Sequence, residues 1–235
     1  HIDTKSTDMG ERVWQEPTES YRSQERFDQE IELFKRVPMV FCPSAALPEN
    51  GSYIARIASG TPLVVVRGDD GVVRAFHNSC RHRGMAVAEG SGKLRSFVCR
   101  YHAWAYGLDG QLKHIPGADG FPDFDMEKHG LVPVHAEERS GLIFITQKDP
   151  VSPGALGDLP DLIAPNQRVF NESTLTDDAN WKLLLETSME GYHIKALHNT
   201  TFYPLGFDNL NVVETYGTNS RIVFPFRRIE KLRDK

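Results

Sequence analysis

The chain has 235 residues, with 40% hydrophobic and 25% charged side chains and a formal net charge of −5. Those values describe an ordinary globular protein of one large or two small domains, and they argue against nucleic acid as a partner. No apolar run approaches the ~20 residues of a membrane span, so no membrane partner is expected. The opening His1-Ile2-Asp3-Thr4 lacks a signal-peptide core, and because it does not begin with Met the natural start is expected upstream.

Residues 1–37 read as an N-terminal segment and helix. Residues 1–17 are polar and irregular. From Glu19 to Val37 the apolar positions Phe27, Ile31, Phe34 and Val37 recur at helical steps, with Thr18 as a candidate N-cap and Pro38 as the stop. Residues 38–147 change to short β-rich runs with turn signals. Leu63–Arg67 and Val72–Phe76 read as strands around the turn Gly68-Asp69-Asp70-Gly71. Phe97–Cys99, Ala103–Tyr106 and Gly141–Ile145 continue the series, with a further turn at Gly107–Gly110. Short strands at this spacing predict a small antiparallel barrel or sandwich. Residues 148–167, rich in Pro and Gly, read as a linker. Residues 168–235 open a further unit, with a strand over Arg168–Thr176 and a helix from Trp181. The expected class is α+β.

Three cysteines, Cys42, Cys80 and Cys99, are too few for a disulfide framework. Cys42 reads as a reduced, partly buried thiol, and the expected compartment is the cytoplasm. The other two belong to a pattern. Cys80-Arg81-His82 and Cys99-Arg100-Tyr101-His102 form C-x-H-x16-C-x2-H. Two thiolates and two imidazoles can hold zinc or an iron–sulfur cluster. A structural zinc finger usually draws both Cys from one loop and both His from a following helix. Here each loop supplies one of each, which matches a Rieske-type [2Fe–2S] centre, with two Cys on one iron and two His on the other.

A second set lies in the run from Asn180 to His198: Glu190, His193 and His198. Two imidazoles and a carboxylate suit a non-haem Fe(II) site with positions open for O2 and substrate. Residues five apart on an ideal helix sit ~140° apart around the axis, so His193 and His198 converge only if the helix is irregular between Glu190 and His198. Among the remaining residues, His77 reads as packing beneath the first loop. His114, His129 and His135 read as structural or surface residues. Trp104 and Tyr106 read as sheet packing, with Trp104 also a candidate shield for the metal site. Tyr101 is a candidate hydrogen-bond donor to a sulfur, and Tyr192 is a candidate substrate contact.

The segments Cys80-Arg81-His82-Arg83-Gly84, Cys99-Arg100-Tyr101-His102-Ala103-Trp104 and Asn180-Trp181-Lys182…Glu190…His193…His198 together resemble the large (alpha) subunit of the Rieske non-haem iron oxygenases. The resemblance covers the chain from about Phe27 onward. It implies a Rieske domain over 38–147 and the start of a helix-grip type catalytic domain over 168–235. Cys80, His82, Cys99 and His102 would hold the [2Fe–2S] cluster, and His193 and His198 a mononuclear Fe(II). Glu190 would be the carboxylate that bridges electron transfer. Electrons from NAD(P)H would arrive through a reductase, directly or by way of a ferredoxin. Arg81, Arg83 and Arg100 read as a basic rim for docking an acidic ferredoxin or packing against a neighbouring subunit's carboxylates, with solvated charge as the alternative. The product would be a hydroxylated small organic molecule, with an aromatic compound as the family's default substrate. The assembly would be a homotrimer or higher oligomer, with or without a small beta subunit. An electron carrier without oxygenase activity, or a zinc module, would carry the first motif alone.

One difference from the respiratory Rieske proteins and two departures from the oxygenase pattern stand out. Respiratory Rieske proteins add a disulfide whose cysteines would fall at Met85 and Tyr101, so these loops must be held by packing and hydrogen bonds. Glu190 stands where many relatives have Asp. Relatives with Glu there include enzymes that oxidise quaternary ammonium compounds, which keeps a mono-oxygenase or demethylase of such substrates open. The family's third iron ligand is an Asp far downstream, and the contexts of Asp208, Glu214 and Asp234 do not match it. The chain is therefore expected to be truncated in the catalytic domain.

Overall fold

The computed structural model describes residues 1–232, and Asp234 lies outside them. The chain divides into two compact units: Asp28–Ser173, and His1–Phe27 together with the chain from Thr174 onward. No helix among the described residues is long and apolar enough to cross a membrane.

The helix expected over Glu19–Val37 forms as two pieces, α1 (Glu19–Arg22) and α2 (Gln24–Phe34), broken by Ser23 in an extended conformation. Thr18 is itself helical in φ and ψ and makes no side-chain cap. The Ser23 hydroxyl does that work, accepting from Arg26 N–H at 3.2 Å. The boundary between the units falls after Phe27, inside α2.

The unit Asp28–Ser173 is built on β1 (Met39–Pro43), β2 (Ser52–Ala58), β3 (Thr61–Arg67), β4 (Val73–His77), β5 (Gly90–Lys93), β6 (Phe97–Val98), β7 (Ala105–Tyr106), β8 (Leu112–His114), β9 (Pro133–Arg139) and β10 (Leu142–Thr146). Seven of these form one antiparallel sheet in the order β1-β10-β9-β4-β3-β2-β5, and β6-β7-β8 form a second. The α+β class and the antiparallel β domain are as the sequence predicts.

The central strand β3 explains why its sequence is an unbroken apolar run. Val64 and Val66 point into a core that also holds Cys80, Cys99, Trp104 and Tyr106. Leu63 and Val65 point the other way, into a core with Phe41, Leu47, Ile143 and Ile145. All four are fully buried. Alternating side chains with both faces covered lose the apolar–polar alternation of a half-exposed strand. Burial of each contributes ~1.5–3 kcal/mol. The second core thus supports the sheet from behind, while the first lies under the metal-ligating motifs.

Five strands of this unit, β1, β2, β5, β8 and β9, are not among those the sequence predicts. β1 is a short apolar run, and β2 ends in exposed residues. β5 (Gly-Ser-Gly-Lys) is an edge strand with every residue exposed, paired through its backbone alone. β9 carries three charged residues. Conversely, the strand expected over Arg168–Thr176 does not form; the segment is extended and exposed, with no partner strand. β-Propensity needs a neighbouring edge to become a strand.

The other unit contains α1, α3 (Trp181–Met189), α4 (Ile194–Leu197) and a hairpin of β11 (Val212–Tyr216) with β12 (Asn219–Val223). Asn180 caps α3 by accepting from Lys182 N–H at 3.1 Å, and its amide donates to Tyr21 O at 3.1 Å. Glu214 sits in β11, paired with Arg221.

Candidate metal centres

The first motif becomes two turns of the same design. In the first, Cys80 N–H donates to Met85 O at 2.7 Å and Gly84 N–H returns to Cys80 O at 2.8 Å. In the second, Cys99 N–H donates to Trp104 O at 2.9 Å and Ala103 N–H returns to Cys99 O at 2.9 Å. Gly84 and Ala103 occupy the same place and both have positive φ, 78° and 56°. Each turn presents its cysteine inward and its histidine beyond it. Cys80 and Cys99 are 3% and 2% exposed, both as free thiols. The His82 and His102 rings lie 4.5 Å apart.

Hydrogen bonds stand in for the missing disulfide. Met85 and Tyr101, where its cysteines would fall, are both exposed. Buried Asn78 pins the chain leaving the first turn: its carbonyl accepts from Val87 N–H (2.9 Å) and Ala88 N–H (3.1 Å), and its amide donates to Ala88 O (2.8 Å). Tyr106, on β7, ties the first turn to the second hairpin. Its hydroxyl accepts from Arg81 N–H at 2.9 Å and lies 3.2 Å from Cys80 Sγ. With the backbone N–H donated to it, its own proton is free for the sulfur. Burial, then the bond to Cys80, raises the Tyr106 phenol above its ordinary pKa.

The sequence left Tyr101 open between a bond to sulfur and simple packing, and read Tyr106 as packing. Tyr101 is 58% exposed and stacks on His102 at 3.8 Å, while Tyr106 reaches the sulfur. Trp104 does pack in the core, but it also stacks on His82. His77 is half-buried at the end of β4, and His114 and His135 are exposed. His129 is half-buried, bonded through Nδ1 to Asp125 O at 2.7 Å. Arg81 and Arg83 are exposed, and Arg100 pairs with Glu89 at 3.1 Å.

The second set depends on the break that the sequence requires. α3 stops at Met189; Glu190 is extended, with φ −123° and ψ 150°. A single helical turn, α4, follows, with His193 at its N-terminal boundary and His198 at its C-terminal boundary. The two rings come within 5.3 Å. Glu190 accepts from His193 Nδ1 and from the backbone N–H groups of Tyr192 and His193. Burial raises the Glu190 carboxyl, but these bonds outweigh it and hold the group below the ordinary carboxylate range. Tyr192 is 81% exposed.

These donors fit the groups that the motifs imply. His82 Nδ1 is buried without a hydrogen-bond partner, and the Cys80 and Cys99 thiols are free and buried. Burial, with His102 and Arg83 nearby, lowers the His82 pKa and favours the neutral imidazole that a metal requires. Among the described residues no three His, Cys, Asp or Glu side chains close on one point. A two-iron cluster asks for less: two protein donors per iron, with sulfides completing each. At the second set, Nδ1–H of His193 engaged by Glu190 leaves Nε2 as the metal-facing nitrogen.

Residues 37–125 match the Rieske [2Fe-2S] domain, and residues 166–231 match the ring hydroxylating alpha subunit (catalytic domain). The chain is 38% identical over 174 residues to the glycine betaine monooxygenase oxygenase subunit of Chromohalobacter salexigens, covering 71% of this chain and 39% of that protein. It is 32% identical over 219 residues to the anthranilate 1,2-dioxygenase large subunit of Burkholderia cepacia, covering 83% of this chain and 50% of that protein. A solved quaternary ammonium Rieske monooxygenase superposes with a TM-score of 0.74 at 28% identity, covering 92% of this chain and 63% of that one. The chain spans half or less of the length of these two curated relatives. With both metal motifs formed and both domains matched, the chain belongs to the large (alpha) subunits of the Rieske non-haem iron oxygenases.

Proposed function

We propose that this chain belongs to a terminal oxygenase that hydroxylates a quaternary ammonium compound. In this reading Cys80 and Cys99 hold one iron of a [2Fe–2S] cluster, and His82 and His102 hold the other. His193 and His198 hold a mononuclear Fe(II). When bound, the cluster supplies one-electron storage and the Fe(II) supplies O2 activation. Glu190 fixes the tautomer and plane of His193 by accepting its Nδ1–H. It is also the group that would face a cluster histidine of a neighbouring subunit in a trimer. The family's third ligand is assigned to no residue of this chain.

The observation that carries the oxygenase reading is the pairing, in one chain, of the two cluster turns with the Glu190–His193–His198 set. An electron carrier needs only the first. The substrate class rests on the greater identity to the glycine betaine enzyme than to the anthranilate enzyme, 38% against 32%, and on Glu190 in place of Asp. The match to the anthranilate dioxygenase subunit keeps an aromatic substrate as the second reading. Electrons would come from NAD(P)H through a reductase, directly or through a ferredoxin drawn to exposed Arg81 and Arg83.

Two measurements test this. Iron in excess of acid-labile sulfide should be present in the purified protein and disappear in His193→Ala, with sulfide unchanged. Reductase- and NADH-dependent O2 uptake should then respond to glycine betaine or carnitine. Uptake that responds to anthranilate or naphthalene instead overturns the substrate class. Iron equal to sulfide, with no uptake on any of these, overturns the oxygenase reading.

A further inference from the structure

The two cluster histidines have different surroundings. His102 is exposed and lies against Tyr101, which is exposed as well. His82 lies flat on the indole of Trp104, with centroids 4.9 Å apart and planes 8° from parallel. Phe121 meets the same imidazole edge-on at 6.5 Å. Trp104 is 3% exposed, and the edges of Phe121 and Phe124 hold it at 5.8 and 5.5 Å. Its carbonyl also closes the second turn by accepting from Cys99 N–H. One residue thus shapes the second loop with its backbone and braces the histidine of the first with its ring.

We infer that Trp104 is a positioning residue for the cluster, which fixes the plane of the His82 imidazole and keeps the reduction potential low. The inference rests on the ligand set proposed above. A flat stack on the buried indole leaves the half-buried imidazole little freedom to turn, so Nδ1 stays buried. Two physical effects then act in the same direction. The indole face is electron-rich and favours the more positive imidazole of the oxidised state. The stack also keeps water from that side of the ring. An oxidised cluster with two thiolates and two neutral imidazoles carries no net charge; gaining one electron from the donor makes it −1, which a dry site disfavours.

Trp104→Phe and Trp104→Leu test this on the full chain loaded with iron and sulfide, titrated electrochemically and examined by EPR in the reduced state. Phe keeps a smaller face, and Leu keeps none. At unchanged iron and sulfide content, the ratio of reduced to oxidised cluster at a fixed applied potential should rise about tenfold in Trp104→Leu, which is ~59 mV upward for one electron. Trp104→Phe should rise about threefold. The EPR signal of Trp104→Leu should broaden as the imidazole plane becomes less defined. If Trp104→Leu does not fold, the shift in Trp104→Phe decides. Potentials equal to the unaltered protein at full cluster content overturn the inference and leave the ligand set standing. No iron or sulfide in the unaltered protein overturns both.

Discussion

The β unit and the α3–α4 unit each gather metal-ligating side chains, by different means. The donors of the first come from two turns, and a sheet with two cores sets the turns against each other. The donors of the second lie five residues apart, and a local break in the helix brings them together. The support beneath them differs accordingly. Cys80, Cys99, Trp104 and Tyr106 are all buried. In the other unit, Leu210 is the one apolar side chain buried among the described residues, while Leu183, Leu184, Leu185 and Met189 on α3 are all 45–54% exposed. Distant donors need tertiary support, whereas near neighbours can be arranged by one turn of backbone.

The largest test of that contrast is Cys99→Ser. It should abolish the visible absorption and acid-labile sulfide of the cluster, because a serine oxygen is a poor substitute for a thiolate. The helical far-ultraviolet signal of α3 should survive. Loss of both together would show that the second unit leans on the first. Next comes Asn78→Ala, which removes a buried amide that serves three backbone groups of the first turn. Leaving those groups unpaired should cost ~2–4 kcal/mol, read as a lowered thermal midpoint. A change under ~0.5 kcal/mol would mean that the turn holds itself.

Ala103→Gly should act in the other direction. Ala103 has φ 56° where the matching turn uses Gly84. Relief of the left-handed strain should stabilise the β unit by ~1 kcal/mol. A destabilised variant would show the two turns to be less alike than their hydrogen bonds suggest.

The smallest effect belongs to Glu138→Gln. Arg67 grips Glu138 with two bonds, at 2.9 and 3.0 Å, and holds its carboxyl below the ordinary range. The folded pKa lies below the unfolded value of ~4.3. The pair therefore contributes stability above that value and loses it as the pH falls through the folded one. Partial exposure limits the contribution to roughly 0.5–1 kcal/mol. The variant should be less stable at pH 7 and converge with the unaltered protein as the pH falls through the folded value. A difference that stays the same from pH 7 down to the acid limit would exclude the charge as its source.

Much of the site was legible because its signals are local. The spacing of Cys80, His82, Cys99 and His102 can be read without knowing how the turns meet, and the geometry of a helix alone requires the break before His198. The tyrosine was not legible. Tyr101 lies inside the motif and Tyr106 outside it, yet the pairing of β6 with β7 buries Tyr106 against the first turn. Strands were read only where side chains alternated or ran apolar beside a turn signal, so the apolar β1 was missed. β5 has neither feature and is held by its backbone to β2, whereas Arg168–Thr176 has the composition of a strand and meets no edge.

The sequence by itself nominated the donor side chains, grouped them in two sets, and required an interrupted helix for the second set to converge. Those properties follow from donor chemistry and from repeat distances along one segment. Tertiary structure alone decided which aromatic ring braces His82, which hydroxyl reaches Cys80, and how Asn78 pins the chain leaving the first turn. Each of those contacts joins residues whose separation along the chain carries no periodic signal, so only the closing of the sheet could choose them.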